Sequence, residues 1–219
     1  MAKTSVFSGI PRSDTEKIKN CMHCEEKYYM QGESIYTYNP DRILKVGVVA
    51  DGKILIRQSN NDFVYRKDVY SKGSAFGELF GFPPLGHTVE VFADSDCTVL
   101  FFDYQKIIHP CQNACYYHTA VLSNLFRMSS ERISEEGLHL SLLKKRSARE
   151  KILAFLEIFS QKNTSLSFDI PYTQSALADY LCLERSAMAR CLSSLRREGL
   201  IKSKGRHFEL SEAYLLKSE

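Results

Sequence analysis

Long apolar runs are the first thing this 219-residue chain lacks. Its best, Val46–Ala50 and Thr98–Phe102, fall far short of the roughly 18–20 residues that a membrane helix needs. The opening MAKTSVFSGIPRSDTEK has no apolar signal core, so the expected location is cytoplasmic, with no membrane partner. Internal repeats and low-complexity tracts are missing too. So are a P-loop, a GxGxxG turn and a recognisable Ser-His-Asp neighbourhood. The histidines, at 23, 87, 109, 118, 139 and 207, show no His-x-His spacing of the kind a cupin-type metal enzyme uses. No segment alternates strands with the helices that parallel crossovers require. The seven cysteines are odd in number and scattered, which argues against a secreted disulfide framework.

The charge that is present is unevenly placed. From residue 141 onward there are 14 lysines and arginines against 9 acids, a net +5. The preceding residues carry a net −2. A mildly acidic body with a basic C-terminal part points to a polyanionic partner at that end.

A short helical pattern opens the chain, with Ser13 as its cap and Asp14 and Glu16 in its first turn. β-Branched and aromatic residues dominate from Glu26 to Phe102. Ile43–Val49, Asp51-Gly52 and Lys53–Gln58 read as a hairpin, because Asp-Gly suits a tight primed turn. A turn at Ser59–Asp62 leads into Phe63–Tyr70, and His87–Ala93 and Cys97–Asp103 are two further strands about a turn. Six to eight short strands at even spacing imply an antiparallel sandwich or jelly-roll.

After Pro110 the pattern is helical. Leu122, Leu125, Ser129 and Ile133 recur near coiled-coil spacing; a helix packed on its own barrel would show this too, and the favoured reading is the seam of a homodimer. A helix of ~30 residues is ~45 Å long, too long for one small barrel to cover. Lys144–Ser147 then forms a basic hinge, Ala148–Phe159 a new amphipathic helix and Ser167–Ile170 a short strand.

The segment from Pro171 to Leu210 carries the function. Thr173 caps Gln174–Leu181, Cys182-Leu183 breaks it, and Glu184–Glu198 follows, closed by Gly199. Two such helices across a tight turn make a helix-turn-helix. On a wheel, Met188, Cys191, Leu192 and Leu195 fill one arc, and Cys182 is expected to face inward with them. Arg185, Ser186, Arg190, Ser193, Arg196 and Arg197 fill another, with no acid between Arg185 and Arg197. Small residues let the helix approach a groove, and arginine forks onto guanine or clamps phosphate. Leu200–Leu210 reads as a β-hairpin wing tipped by Lys202, Lys204 and Arg206.

This order of roll, long helix, helix-turn-helix and wing resembles the Crp/Fnr superfamily of bacterial transcription regulators. Phe76-Gly77-Glu78-Leu79 matches in the roll. Ala176–Leu181, Arg185-Ser186, Arg190 and Glu198-Gly199-Leu200-Ile201 match beyond it. The resemblance implies an α+β chain: a cyclic-nucleotide-binding-like roll over 1–112, a dimerisation helix over 113–143 and a winged helix-turn-helix over 144–219. It implies a homodimer on a double-stranded operator that meets RNA polymerase. The DNA-facing set is then Thr173, Gln174, Arg185, Ser186, Arg190, Arg197 and Lys204, with Arg185, Ser186 and Arg190 at the base-reading positions. A small-molecule effector would meet Gly77, Glu78, Leu79, His87 and Thr88. Cyclic-nucleotide members carry Arg-Ser or Arg-Thr where this chain has His87-Thr88, and histidine is a poor substitute for a permanent forked cation. Cyclic AMP is therefore not the expected effector, and no cofactor is implied.

Cys21 and Cys24 form a C-x₂-C where some family members begin an iron–sulfur ligand set. With Cys97 the next cysteine, the pair is expected to be structural. Cys111, Cys115 and His118 share a helical face at feasible ligand spacing, so a redox or metal sensor there is the outside alternative. A ligand-binding barrel or cupin-like enzyme that never touches DNA is the competing reading of the whole.

Overall fold

The computed structural model describes residues 5–60, 63–109 and 116–211, and the side chains of these except at 12 and 63–67. The chain divides into two compact units, Met1–Ile133 and Ser134–Glu219.

The first unit is the expected antiparallel sandwich. Its strands are β1 (Glu25–Tyr29), β2 (Ser34–Thr37), β3 (Lys45–Asp51), β4 (Lys53–Asn60), β5 (Phe63–Ser71), β6 (Ala75–Phe76), β7 (Thr88–Ala93) and β8 (Cys97–Asp103). One sheet runs β1-β8-β3-β6 and the other β2-β7-β4-β5. β4 and β5 form the hairpin that the Ser59–Asp62 turn implied, although residues 61 and 62 lie outside the described set.

The Asp51-Gly52 hairpin is not formed. β3 pairs with β8 and β6, and β4 pairs with β5 and β7, so the chain changes sheet at this corner. β7 and β8 likewise fall in different sheets. The two corners meet. Gly52 has φ +76°, and a Cβ there would sit 2.2 Å from the Asp96 carbonyl oxygen. Glycine is thus needed for close approach as well as for its positive φ.

Helices cover the outer face of the first sheet: α1 (Arg12–Cys21), α2 (Tyr104–Ile108) and α3 (Tyr116–Leu143). Pro11 occupies the N-cap of α1 and Ser13 lies inside the helix, so the expected Ser13 cap is absent. β8 explains its own composition. Val99 and Phe101 point between the sheets, while Leu100 and Phe102 point into the layer under the helices. Both faces are covered, so the strand is apolar throughout instead of alternating. Asn124 of α3 is buried, and its side-chain amide donates to the carbonyls of Val6 and Ser8 at 3.0 and 2.8 Å.

The second unit contains the end of α3, α4 (Ala148–Asn163), β9 (Ser167–Asp169), α5 (Gln174–Tyr180), α6 (Arg185–Arg197), β10 (Ile201–Lys204) and β11 (His207–Leu210). Ser147 and Glu150 form a reciprocal capping box at the start of α4. Phe155, Leu156, Leu177, Leu181, Met188, Leu192, Leu195 and Phe208 meet in one core. β9 pairs with β11, making the wing a three-stranded sheet.

Candidate nucleic-acid interface

The α5–α6 pair is built by local chemistry. Thr173 accepts the Ala176 amide at 3.2 Å, which starts α5 where the sequence placed it. Cys182 takes φ +49° in the turn. It is exposed, not part of the inward face, because the left-handed turn rolls its side chain outward. Gly199, with φ +71°, ends α6: its amide donates to Arg196 and that of Leu200 to Leu195.

Met188, Leu192 and Leu195 of α6 are completely buried, and Cys191 is half-buried. Arg185, Ser186, Ala189, Arg190, Ser193, Arg196 and Arg197 are exposed. Arg185 lies 3.7 Å from Asp179, a solvated pair of little strength. Arg196 donates to Ser193 and Ser203. Arg190 and Arg197 are engaged by no ion pair among the described residues, and they line an open depression along α6 with Ala189 and Ser193. Thr173 and Gln174 are exposed at the start of α5, and Lys202, Lys204 and Arg206 are exposed on the wing.

One ion pair here escaped sequence reasoning. Arg149 of α4 forks onto Glu198 at 2.8 and 2.6 Å, and Ser194 donates to the same carboxylate at 2.9 Å. The acid that follows the arginine face in sequence is thereby tied back to the scaffold. The arrangement was hidden because its partners lie 49 residues apart.

The wing also holds a Ser-His-Asp arrangement that the sequence did not reveal. His207 Nε2 is 3.2 Å from Ser167 Oγ, and Nδ1 is 3.1 Å from Asp169 Oδ1. The group lies on an open sheet face with the Asp169 side chain 78% exposed, and the Ser167 amide is already spent on Ser165. It is a polar cross-strand network without walls to hold a substrate.

The residues of the expected effector set differ in burial. Glu78 is 1% exposed, and its carboxylate accepts the Tyr36 hydroxyl at 2.9 and 3.2 Å and the Asn39 amide at 2.7 Å. Gly77 donates its amide to the Tyr38 hydroxyl at 2.8 Å. Burial holds the Tyr38 phenol up at about 12. Leu79 packs into the helix-covered layer. Thr88 is exposed and His87 half-buried.

The residues of the expected seam on α3 differ in exposure. Leu125 is completely buried in its own unit and Leu122 packs against the same cluster. Ser129 is half-buried; Ile133 is 70% exposed. The helix carries a second stripe. Phe126, Ile133 and Leu140 recur every seven residues and are exposed, with exposed Ser123, Ser130 and Gly137 between them. This alternation of three and four residues is the spacing of a heptad repeat, with large and small side chains in turn.

Among the cysteines, Cys21 Sγ stands 4.0 Å from Nε2 of buried His118. Burial pushes the half-buried Cys24 thiol up to about 11. Cys111 and Cys115 lie outside the described residues.

Comparison with known proteins agrees with this geometry. Residues 150–218 match the model of the Crp-like helix-turn-helix domain. The transcriptional activator protein FnrL of Cereibacter sphaeroides is 31% identical over 91 residues, an alignment spanning 37% of each chain. Among solved structures, OCPA-complexed CprK superposes with a TM-score of 0.65 at 15% identity, covering 93% of this chain and 94% of that one. The Thermus thermophilus catabolite activator protein gives a TM-score of 0.51 at 22% identity, covering 97% and 96%. At such identities the structural likenesses establish the fold alone.

Proposed function

We propose that this chain, whose residues 150–218 match the Crp-like helix-turn-helix domain, is a sequence-specific DNA-binding transcription regulator of the Crp/Fnr type that acts as a homodimer in the cytoplasm. In this reading residues 1–112 sense an effector or redox signal, 113–143 join two copies and 144–219 read the operator, with RNA polymerase as the protein partner. The observation that carries it is the exposed, acid-free arginine face of α6, backed by a completely buried apolar face.

Arg185, Ser186 and Arg190 meet base edges in the major groove, where arginine forks onto guanine. Thr173, Gln174, Arg197 and Lys204 meet phosphates and fix the register. Two copies place their α6 helices about one DNA turn, ~34 Å, apart. The seam between copies is the Phe126–Ile133–Leu140 stripe.

The signal is not a cyclic nucleotide of the cyclic AMP type. His87 stands where a forked cation is needed, and the Glu78 carboxylate already takes Tyr36 and Asn39. The close approach of Cys21 to His118 favours a redox or metal-linked input. Metal analysis of anaerobically purified protein tests that input: wild-type chain without bound metal and with unreactive Cys21 speaks against it.

The deciding experiment is selection of duplexes from a random pool by the full chain. Enrichment of a two-fold-symmetric site, with affinity falling steeply with salt, is expected. Absence of any enriched sequence would refute the reading.

A further inference from the structure

The C-terminal end of α5 is a complete account of carbonyl groups. A helix end leaves its last carbonyls without intrahelical donors. Here Leu177 accepts from the Leu181 amide, Ala178 from Leu183 and Asp179 from Cys182. The turn itself therefore satisfies three. The remaining two, Tyr180 and Leu181, are reached only from other helices. His139 Nε2, on the penultimate turn of α3, lies 2.7 Å from the Tyr180 oxygen. Lys151 Nζ, on α4, donates to the Leu181 oxygen at 3.1 Å. A carbonyl only accepts, so Nε2 of His139 carries the proton in this bond.

A second contact is independent of the first. The His139 ring stacks on the Tyr180 ring with centroids 4.0 Å apart and planes 12° from parallel. Tyr180 in turn stacks on Tyr172 at 4.9 Å, and both rings pack edgewise on Phe155. His139 is thus held at two points, and through it the end of α3 is fixed to the exit of α5. The direction of that exit sets the direction of α6, because only the four residues Leu181–Glu184 separate them.

We infer that His139 is the positioning residue that ties the end of the long helix to the helix-turn-helix. It does not touch DNA. It acts by holding Tyr180, and so the turn, in the pose from which α6 presents its arginines. The inference rests on the DNA-binding reading for its purpose, and on the hydrogen bond and ring stack for its geometry.

The test uses the full chain in two variants. His139→Phe keeps a ring to stack and loses the donor. His139→Gln keeps a donor and loses the ring. The probes are a duplex selected by the wild-type chain and a random duplex of the same length. His139→Phe is expected to lower the preference for the selected duplex about tenfold while random-duplex affinity and melting temperature stay near wild type. His139→Gln is expected to restore most of the preference. Amide exchange at Leu181, Cys182 and Leu183 should quicken in His139→Phe, a readout that needs no DNA. Unchanged preference with unchanged exchange overturns the inference. So does a parallel fall in both affinities with the melting temperature, which marks a merely structural residue, and so does failure of His139→Gln to rescue. Wild-type chain without any preferred duplex, but with exchange quickened by His139→Phe, refutes the DNA reading and leaves the latch standing.

Discussion

The roll around Glu78 and the face of α6 treat charge in opposite ways. In the first, a carboxylate is sunk to 1% exposure, and a phenol and a backbone amide are bent onto it. In the second, guanidinium groups stand out from a helix whose other side is closed, and the acid at its C-terminal end, Glu198, is clamped by Arg149. A buried charge with its hydrogen bonds filled specifies architecture. A set of like charges left in solvent is held ready for something outside the chain. The contrast assigns stability to one region and recognition to the other, and substitutions can separate them.

The largest effect is expected at Leu125, where a buried charge is introduced into a packed layer. Leu125→Asp should cost about 4 kcal/mol or more and unfold the first unit in mild urea. Ile133→Asp, two turns along the same helix, should leave the urea midpoint nearly unmoved. Its product should be monomeric by light scattering, and a persistent dimer would place the seam elsewhere.

Glu78→Ala should destabilise by about 1–3 kcal/mol, because the Tyr36 hydroxyl and Asn39 amide lose their acceptor inside the sandwich. Denaturant titration reads this, and base preference of any DNA binding should be unaltered. Arg190→Ala and Arg185→Ala should do the reverse: about 1–3 kcal/mol of discrimination lost for each, with the urea midpoint unchanged. If either pair of readouts swaps, the division of labour fails.

Lys204→Ala should weaken selected and random duplexes alike and reduce the salt slope by about one counterion. The smallest effect concerns thiols. Exposed Cys182 should be alkylated at neutral pH well before Cys24, whose thiol burial holds up near 11. Mass-mapped alkylation reads the order.

Much of the second unit was legible before any coordinates. Thr173, Gly199 and the arginine arc act within one or two helical turns, where period and capping chemistry decide the outcome. Cys182 was misplaced, since a left-handed turn residue breaks the wheel on which its neighbours were plotted. In the first unit the strands were legible as elements but their partners were not. Asp51-Gly52 has hairpin chemistry, yet the same positive φ serves a corner between sheets, and only the neighbouring Asp96 shows which. On α3, two apolar stripes share one helix, and spacing near seven fits both.

The sequence by itself determined the arginine face of α6, the Thr173 cap that starts α5, the Gly199 that ends α6 and the two-sheet class of the roll, because those follow from short-range periodicity. Only the tertiary structure decided which stripe of α3 its own sheet covers, what fills the bonds of Glu78, and that His139 meets Tyr180. Each of these joins segments far apart in the chain, where nothing in local spacing records who the neighbour will be.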